Sequence, residues 1–201
     1  MKRITIKSNL AHFKVPLTSK KMTCYPVPPP STVLGMLKVI YGREDINNFS
    51  FGYTIEHKGK HTDVMTLHKV GKNITDCVMV EYLINPTLTI YTDITEDEKI
   101  KYCLTMGRSN CLAKIIDIAE VELQDIEGTI KNQWLAPTVK GLTGKIQTVT
   151  TNTLYRKDLN RHENDVLPLR LITEGTYQKN HDAEREQNIY MFKFNDRLEV
   201  I

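Results

Sequence analysis

Between residues 2 and 8 apolar and polar side chains alternate, with Ile4 and Ile6 on one face and Arg3, Thr5 and Lys7 on the other, which predicts a β-strand. The period then changes. Val33, Leu34, Met36, Leu37 and Ile40 recur at helical spacing over residues 32–41, Ser31 stands where an N-cap belongs, and Gly42 stands where a helix ends. Residues 49–56 alternate again, with Phe51, Tyr53 and Ile55 on one face. Residues 77–84 and 88–91 are strand-like and are broken at Asn85-Pro86. Thr95, followed by Glu96, Asp97 and Glu98, reads as a cap with an acidic first turn; it predicts a second helix to about residue 105, ended by Gly107. Residues 118–123 alternate once more.

Between the second and third of these strands, residues 57–76 are polar, contain Gly59 and Gly71, and have strand character only at 64–67; they predict a protruding hairpin, or finger. The order strand, helix, strand, finger, strand, helix, strand is the βαββαβ order of an α+β, ferredoxin-like (RRM-like) core with a β-hairpin thumb. That core is expected over residues 1–124. Residues 125–201 form a smaller β-rich C-terminal extension, with strands expected at 146–151, 166–172 and 188–194 and an exposed polar loop at 179–187. The connection at 9–30 contains five prolines and Lys20-Lys21; so long a loop in a compact domain is often functional.

Composition narrows the class. A chain of 201 residues with 40% hydrophobic and 25% charged residues is ordinary for a globular protein, and no apolar run approaches membrane-spanning length. The four cysteines form no CxxC pair, which suits reduced thiols in a cytoplasmic protein. The net charge of +3 is unevenly spread: residues 1–75 carry a net +8 and the remainder −5. A basic half suggests a polyanion partner, although solvated faces are often charged in this way.

Three segments carry candidate chemistry. Tyr25-Pro26-Val27-Pro28-Pro29-Pro30-Ser31 runs a stiff extended backbone into a helix start, whose free N–H groups suit a phosphate; a plain helix start signal is the structural alternative. Met106-Gly107-Arg108-Ser109-Asn110 offers a glycine turn, a guanidinium fork and a hydroxyl; a glycine helix cap with a surface arginine is the alternative. The finger carries Lys58, Lys60, Lys69 and Lys72, able to neutralise phosphates, with His61 and His68 able to bond sugar or base; a solvated loop is the alternative. His57 and His61 lack further ligands nearby, so no metal is expected, and the absence of Walker A and GxGxxG motifs leaves no expected cofactor. Tyr53, His57, His61 and His68 beside lysines are residue types with which a metal-free ribonuclease could work.

Tyr25-Pro26-Val27-Pro28-Pro29-Pro30-Ser31-Thr32-Val33-Leu34-Gly35-Met36-Leu37 resembles the N-terminal signature of CRISPR-associated protein family 5 of the RAMP superfamily. Leu104-Thr105-Met106-Gly107-Arg108-Ser109-Asn110 and Tyr82-Leu83-Ile84-Asn85-Pro86 resemble two further segments of that family, and the three matches span residues 25–110. The resemblance implies a noncatalytic subunit of a type I Cascade surveillance complex, most similar to the type I-B branch. Such a subunit grips the 5′ handle of the crRNA, caps the backbone filament, touches the large subunit and the terminal backbone subunit, and meets target DNA only through the complex, with no membrane partner. It also implies that residues 57–76 are the family's thumb. Lys20, Lys21, Tyr25, Ser31, Arg108 and Ser109 would then form a phosphate and stacking platform, with the finger wedged between nucleotides and the C-terminal part free for protein contacts. The competing expectation is a metal-independent endoribonuclease that processes pre-crRNA, as in the type I-C branch.

Overall fold

The computed structural model describes residues 1–200 except 17, 19, 44, 69, 70, 72–74, 101, 102, 157, 159 and 196. In chain order its elements are β1 (Lys2–Ser8), β2 (Leu10–Ala11), β3 (Lys21–Met22), α1 (Pro30–Tyr41), β4 (Phe49–Glu56), β5 (Lys60–His68), β6 (Thr75–Ile84), β7 (Thr87–Thr92) and β8 (Ala113–Glu120). The C-terminal part adds β9 (Gly128–Leu135), β10 (Lys145–Arg156), β11 (Arg161–Tyr177), β12 (His181–Asp182), β13 (Gln187–Asn188), β14 (Met191–Asn195) and β15 (Arg197–Val200).

The main sheet has the order β15-β14-β4-β7-β1-β8 with antiparallel neighbours throughout. Its register aligns Ile4, Ile90 and Tyr53 across three strands, and Ile6, Leu88 and Ile55 beside them, so period-2 alternation puts all six on one face. They share a buried cluster with Val33, Leu34, Leu37 and Ile40 of α1, which is the amphipathic pairing the apolar spacing dictates. The same cluster takes in Trp134, Val149 and Leu198, and β14 pairs with β4, so the chain beyond residue 124 helps build the core begun before it. Part of the opposite face of the sheet is covered too. Arg3 and Tyr91 meet there the buried Asp182 carboxylate, 3.2 Å from Arg3 Nη1 and 2.7 Å from the Tyr91 hydroxyl. Segment 179–187, expected as an exposed loop, therefore contains the β12–β13 hairpin and a buried acid.

Two further expectations are corrected. Among the described residues α1 is the one helix; 95–100, 103 and 104 are irregular, and 101 and 102 of the expected second helix lie outside the described residues. The acids that suggested a cap make tertiary contacts instead: Glu98 pairs with Lys2 at 3.0 Å and Glu96 with Arg43 at 2.5 Å, while the Lys99 N–H donates to the Ile40 carbonyl at 2.8 Å. The strand expected at 118–123 lies at Ala113–Glu120.

The finger is not a free-standing hairpin. β5 and β6 pair in register from Lys60↔Leu83 to His68↔Thr75, and the other edge of β6 pairs with β3 and β2. Its inner face, Val78, Val80 and Tyr82, is buried against the body. The connection at 9–30 is likewise ordered by pairing, with Tyr25 N–H donating to the Phe13 carbonyl at 2.8 Å and Val15 N–H to Thr23 at 3.0 Å. The remaining strands form a three-stranded sheet, β10-β11-β9, which packs against α1 and β4.

Candidate functional site

The proline-rich approach is held from behind. The Pro28 carbonyl accepts from the Tyr53 hydroxyl at 2.8 Å and from Trp134 Nε1 at 3.1 Å, both donors buried. Each such bond contributes about 1 kcal/mol, and Pro29 and Pro30 remove backbone freedom that would otherwise oppose it. Pro29, not Ser31, is the N-cap, with no side-chain cap bond, because the proline φ of −58° already suits a helix start; Gly42 closes the far end at φ 64°. Ser31 is thus displaced into the first turn, where its half-buried side chain lines a groove.

That groove has a volume of about 430 Å³. One wall is Ser31 and Thr32 at the start of α1, a second is Gly107 and Arg108, and a third is Thr150, Thr153 and Asn164 on the β10–β11 hairpin; His12, Lys14 and Met22 complete it. Gly107 does not cap a helix. It sits at φ 93° in a tight turn closed by Met106 N–H to the Cys111 carbonyl at 2.8 Å and by Cys111 N–H to the Arg108 carbonyl at 2.9 Å. The turn is docked on the N-terminal loop by His12 N–H to the Met106 carbonyl at 3.1 Å.

Arg108 is half-buried, and its guanidinium reaches the thioethers of Met65 at 3.4 Å and Met22 at 3.9 Å. Sulfur is a weak acceptor, and among the described residues no ion pair involves Arg108, so a positive planar fork stands at the groove with its strong hydrogen-bonding capacity unspent. His12 is buried, with Nδ1 donating to the Glu81 carbonyl at 2.6 Å, which leaves Nε2 as an acceptor; that atom is buried and has no partner. Burial, together with the charges of Arg108 and Lys14, keeps His12 below the usual imidazole range despite its bond to the carbonyl.

The other expected residues divide into groups. Lys60 and Lys21 converge on Glu81, Lys60 at 2.9 Å and Lys21 at 3.9 Å, and the same carboxylate accepts the Cys24 N–H at 3.1 Å. Burial raises the Glu81 carboxyl, but the Lys60 hydrogen bond, the Cys24 amide and both lysine charges outweigh it and hold the group below its ordinary range. Lys60 therefore ties the finger base to the 20–25 loop. Lys58, His61 and His68 are exposed along the finger, Lys20 is exposed beside β3, and Ser109 is exposed at the turn. Lys69 and Lys72 lie outside the described residues. Tyr25 does not offer a stacking surface: its ring is buried edge-on against Trp134 at 5.7 Å, and its hydroxyl points at the Thr148 carbonyl at 3.5 Å. His12, Lys14, Met22, Thr150, Thr153 and Asn164 were not anticipated; the basic, proline-rich character of 9–30 marked the first three only as a region.

No group of three His, Cys, Asp or Glu side chains able to hold a metal occurs among the described residues, and no described helix is long and apolar enough to cross a membrane.

The fold is shared with protein chains of CRISPR effector assemblies. A chain from a CRISPR RNA-guided surveillance complex superposes with a TM-score of 0.52 at 10% identity, covering 90% of this chain and 92% of that one. A chain from a type III-B Cmr-beta complex bound to cognate target RNA and AMPPnP gives 0.54 at 13% identity, covering 88% and 86%. A comparison with curated proteins gave no match. The family model described as CRISPR-associated protein (Cas_Cas5) matches residues 3–190, and the chain belongs to that family, as its motifs suggested.

Proposed function

We propose that this protein is a noncatalytic, crRNA-binding subunit of a type I Cascade-like surveillance complex acting in the cytoplasm. It grips the 5′ handle and caps the backbone filament beside the large subunit, meets target DNA only through the complex, and belongs with the type I-B branch. The observation that carries this reading is the groove in which two of the family-like motifs meet: the helix start at Ser31 and the Gly107-Arg108 turn, whose guanidinium has no ion pair among the described residues. A planar donor fork, small hydroxyls and a rigid wall suit the phosphates and splayed riboses of a single strand. The neighbour order β4-β7-β1-β8, all antiparallel, supports a ferredoxin-like frame in which the described residues of 95–105 are not helical.

The histidines that a ribonuclease would need are dispersed. His61 and His68 lie seven positions apart on β5, about 24 Å along the strand and on opposite faces, which favours the noncatalytic reading. Incubating the full chain with repeat RNA in EDTA tests it. The proposal expects intact RNA. Site-specific cleavage abolished by replacing His12, His57, His61 or His68 would establish the endoribonuclease instead.

A further inference from the structure

A second cleft, also of about 430 Å³, opens where β1 meets β8 and is lined by Lys7, Ser8, Asn9, Leu112, Ala113 and Lys114. Lys7 and Lys114 are directly opposite in the antiparallel register, and both are exposed. Two like charges facing each other across a strand pair disfavour the fold, and none of the lining residues is acidic to relieve them. An anion seated between them removes that cost. The floor is built rather than loose: the Ser8 hydroxyl lies 2.6 Å from the carbonyls of both Leu10 and Leu112, pinning the end of β1 to the start of β8. Leu112 is 60% exposed at the rim, an apolar surface of the kind a base or ribose covers. Glu56, exposed on β4, is separated from Lys7 by Thr87 of β7 and does not line the cleft.

The chain runs from the first groove to this cleft through the turn itself. Arg108 is six residues from Lys114, so their Cα atoms are at most about 22 Å apart. The exposed Ser109 and Asn110 lie between them. We infer that the Lys7–Lys114 cleft is a second phosphodiester subsite, and that one RNA strand crosses the Gly107-Arg108 turn from the groove into it. This inference rests on the reading of the chain as an RNA-binding subunit.

The test uses the full chain and a fluorescein-labelled oligouridine of about 12 nucleotides, a length within the usual span of single-strand sites. Binding is followed across a salt series for the wild type, Lys7→Gln/Lys114→Gln, Lys7→Arg/Lys114→Arg and Arg108→Ala. Losing the one phosphate held between the two lysines lowers the slope of log affinity against log salt by about 0.7 and weakens binding severalfold, and the arginine pair restores both. An unchanged slope and affinity in the glutamine variant, with binding still lost in Arg108→Ala, would overturn the second subsite and leave the RNA reading standing. Wild-type levels of binding in both variants, or no binding by the wild type, would remove the RNA reading and the subsite with it. Lysine-dependent binding of polyglutamate without any effect of the lysines on RNA would assign the cleft to an acidic protein surface and also overturn the inference.

Discussion

Gly107 rests against the carbonyl oxygen of His12, so closely that a β-carbon at position 107 would run into it, and its φ of 93° is one that L side chains rarely adopt. The turn that presents Arg108 is therefore locked to the N-terminal loop by the absence of a side chain. Gly107→Ala is expected to cost about 1–3 kcal/mol of stability and to shift Arg108 out of the groove. Denaturant unfolding together with RNA binding checks this. An alanine variant with wild-type stability and affinity would contradict it.

The placement of Tyr25 yields a prediction opposite to the one its motif suggested. Because the ring is buried against Trp134 and the hydroxyl makes only a long contact with the Thr148 carbonyl, Tyr25→Phe should leave RNA affinity unchanged within about twofold. Tyr25→Ala should instead lower stability by about 3–5 kcal/mol, the usual cost of deleting a buried aromatic ring. Thermal unfolding and fluorescence anisotropy separate the two effects.

Glu81 joins Lys60, Lys21 and the Cys24 amide, and its carboxyl is held below the ordinary range. A depressed carboxylate contributes its full stability above its unfolded value of about 4.3 and loses that contribution as pH falls through the lower folded value. Unfolding free energy should therefore drop more steeply below about pH 5 in the wild type than in Glu81→Gln, which is itself less stable at neutral pH by about 1–3 kcal/mol. Parallel pH profiles would show that Glu81 does not tie the finger to the loop.

On the far face of the sheet, Asp182 satisfies Arg3 and the Tyr91 hydroxyl while almost fully buried. Asp182→Asn takes one carboxylate from Arg3, which keeps Glu184 at 2.6 Å and Asp117 at 3.9 Å, and should cost about 1–3 kcal/mol. RNA affinity of the folded fraction should stay within about twofold, because none of Arg3, Tyr91 and Asp182 lines the groove or the Lys7–Lys114 cleft.

Much of this molecule was legible along the chain. The spacing of Ile4 and Ile6, of Phe51 to Ile55, and of Val33 to Ile40 places β1, β4 and α1 almost to the residue, since each buries one periodic face in a single core. The second helix was misread because Thr95 and the acids after it look like a local cap, whereas Glu96 and Glu98 are committed to Arg43 and Lys2, far away in sequence. Tyr25 was misread for the same reason: its partner Trp134 arrives from β9. That Ser31 and Arg108 would line one site was anticipated by motif. The third wall, Thr150, Thr153 and Asn164, was not, because nothing local marks which hairpin will close a groove.

The central claim is that Arg108 is the groove's phosphate receptor, and affinity for handle-bearing RNA measured on Arg108→Ala and Arg108→Lys tests it most directly. A charge-assisted bond contributes about 1.5–3 kcal/mol, so the account predicts a loss of about 10- to 150-fold in Arg108→Ala with partial recovery in Arg108→Lys, at unchanged melting temperature. Wild-type affinity in Arg108→Ala would contradict it.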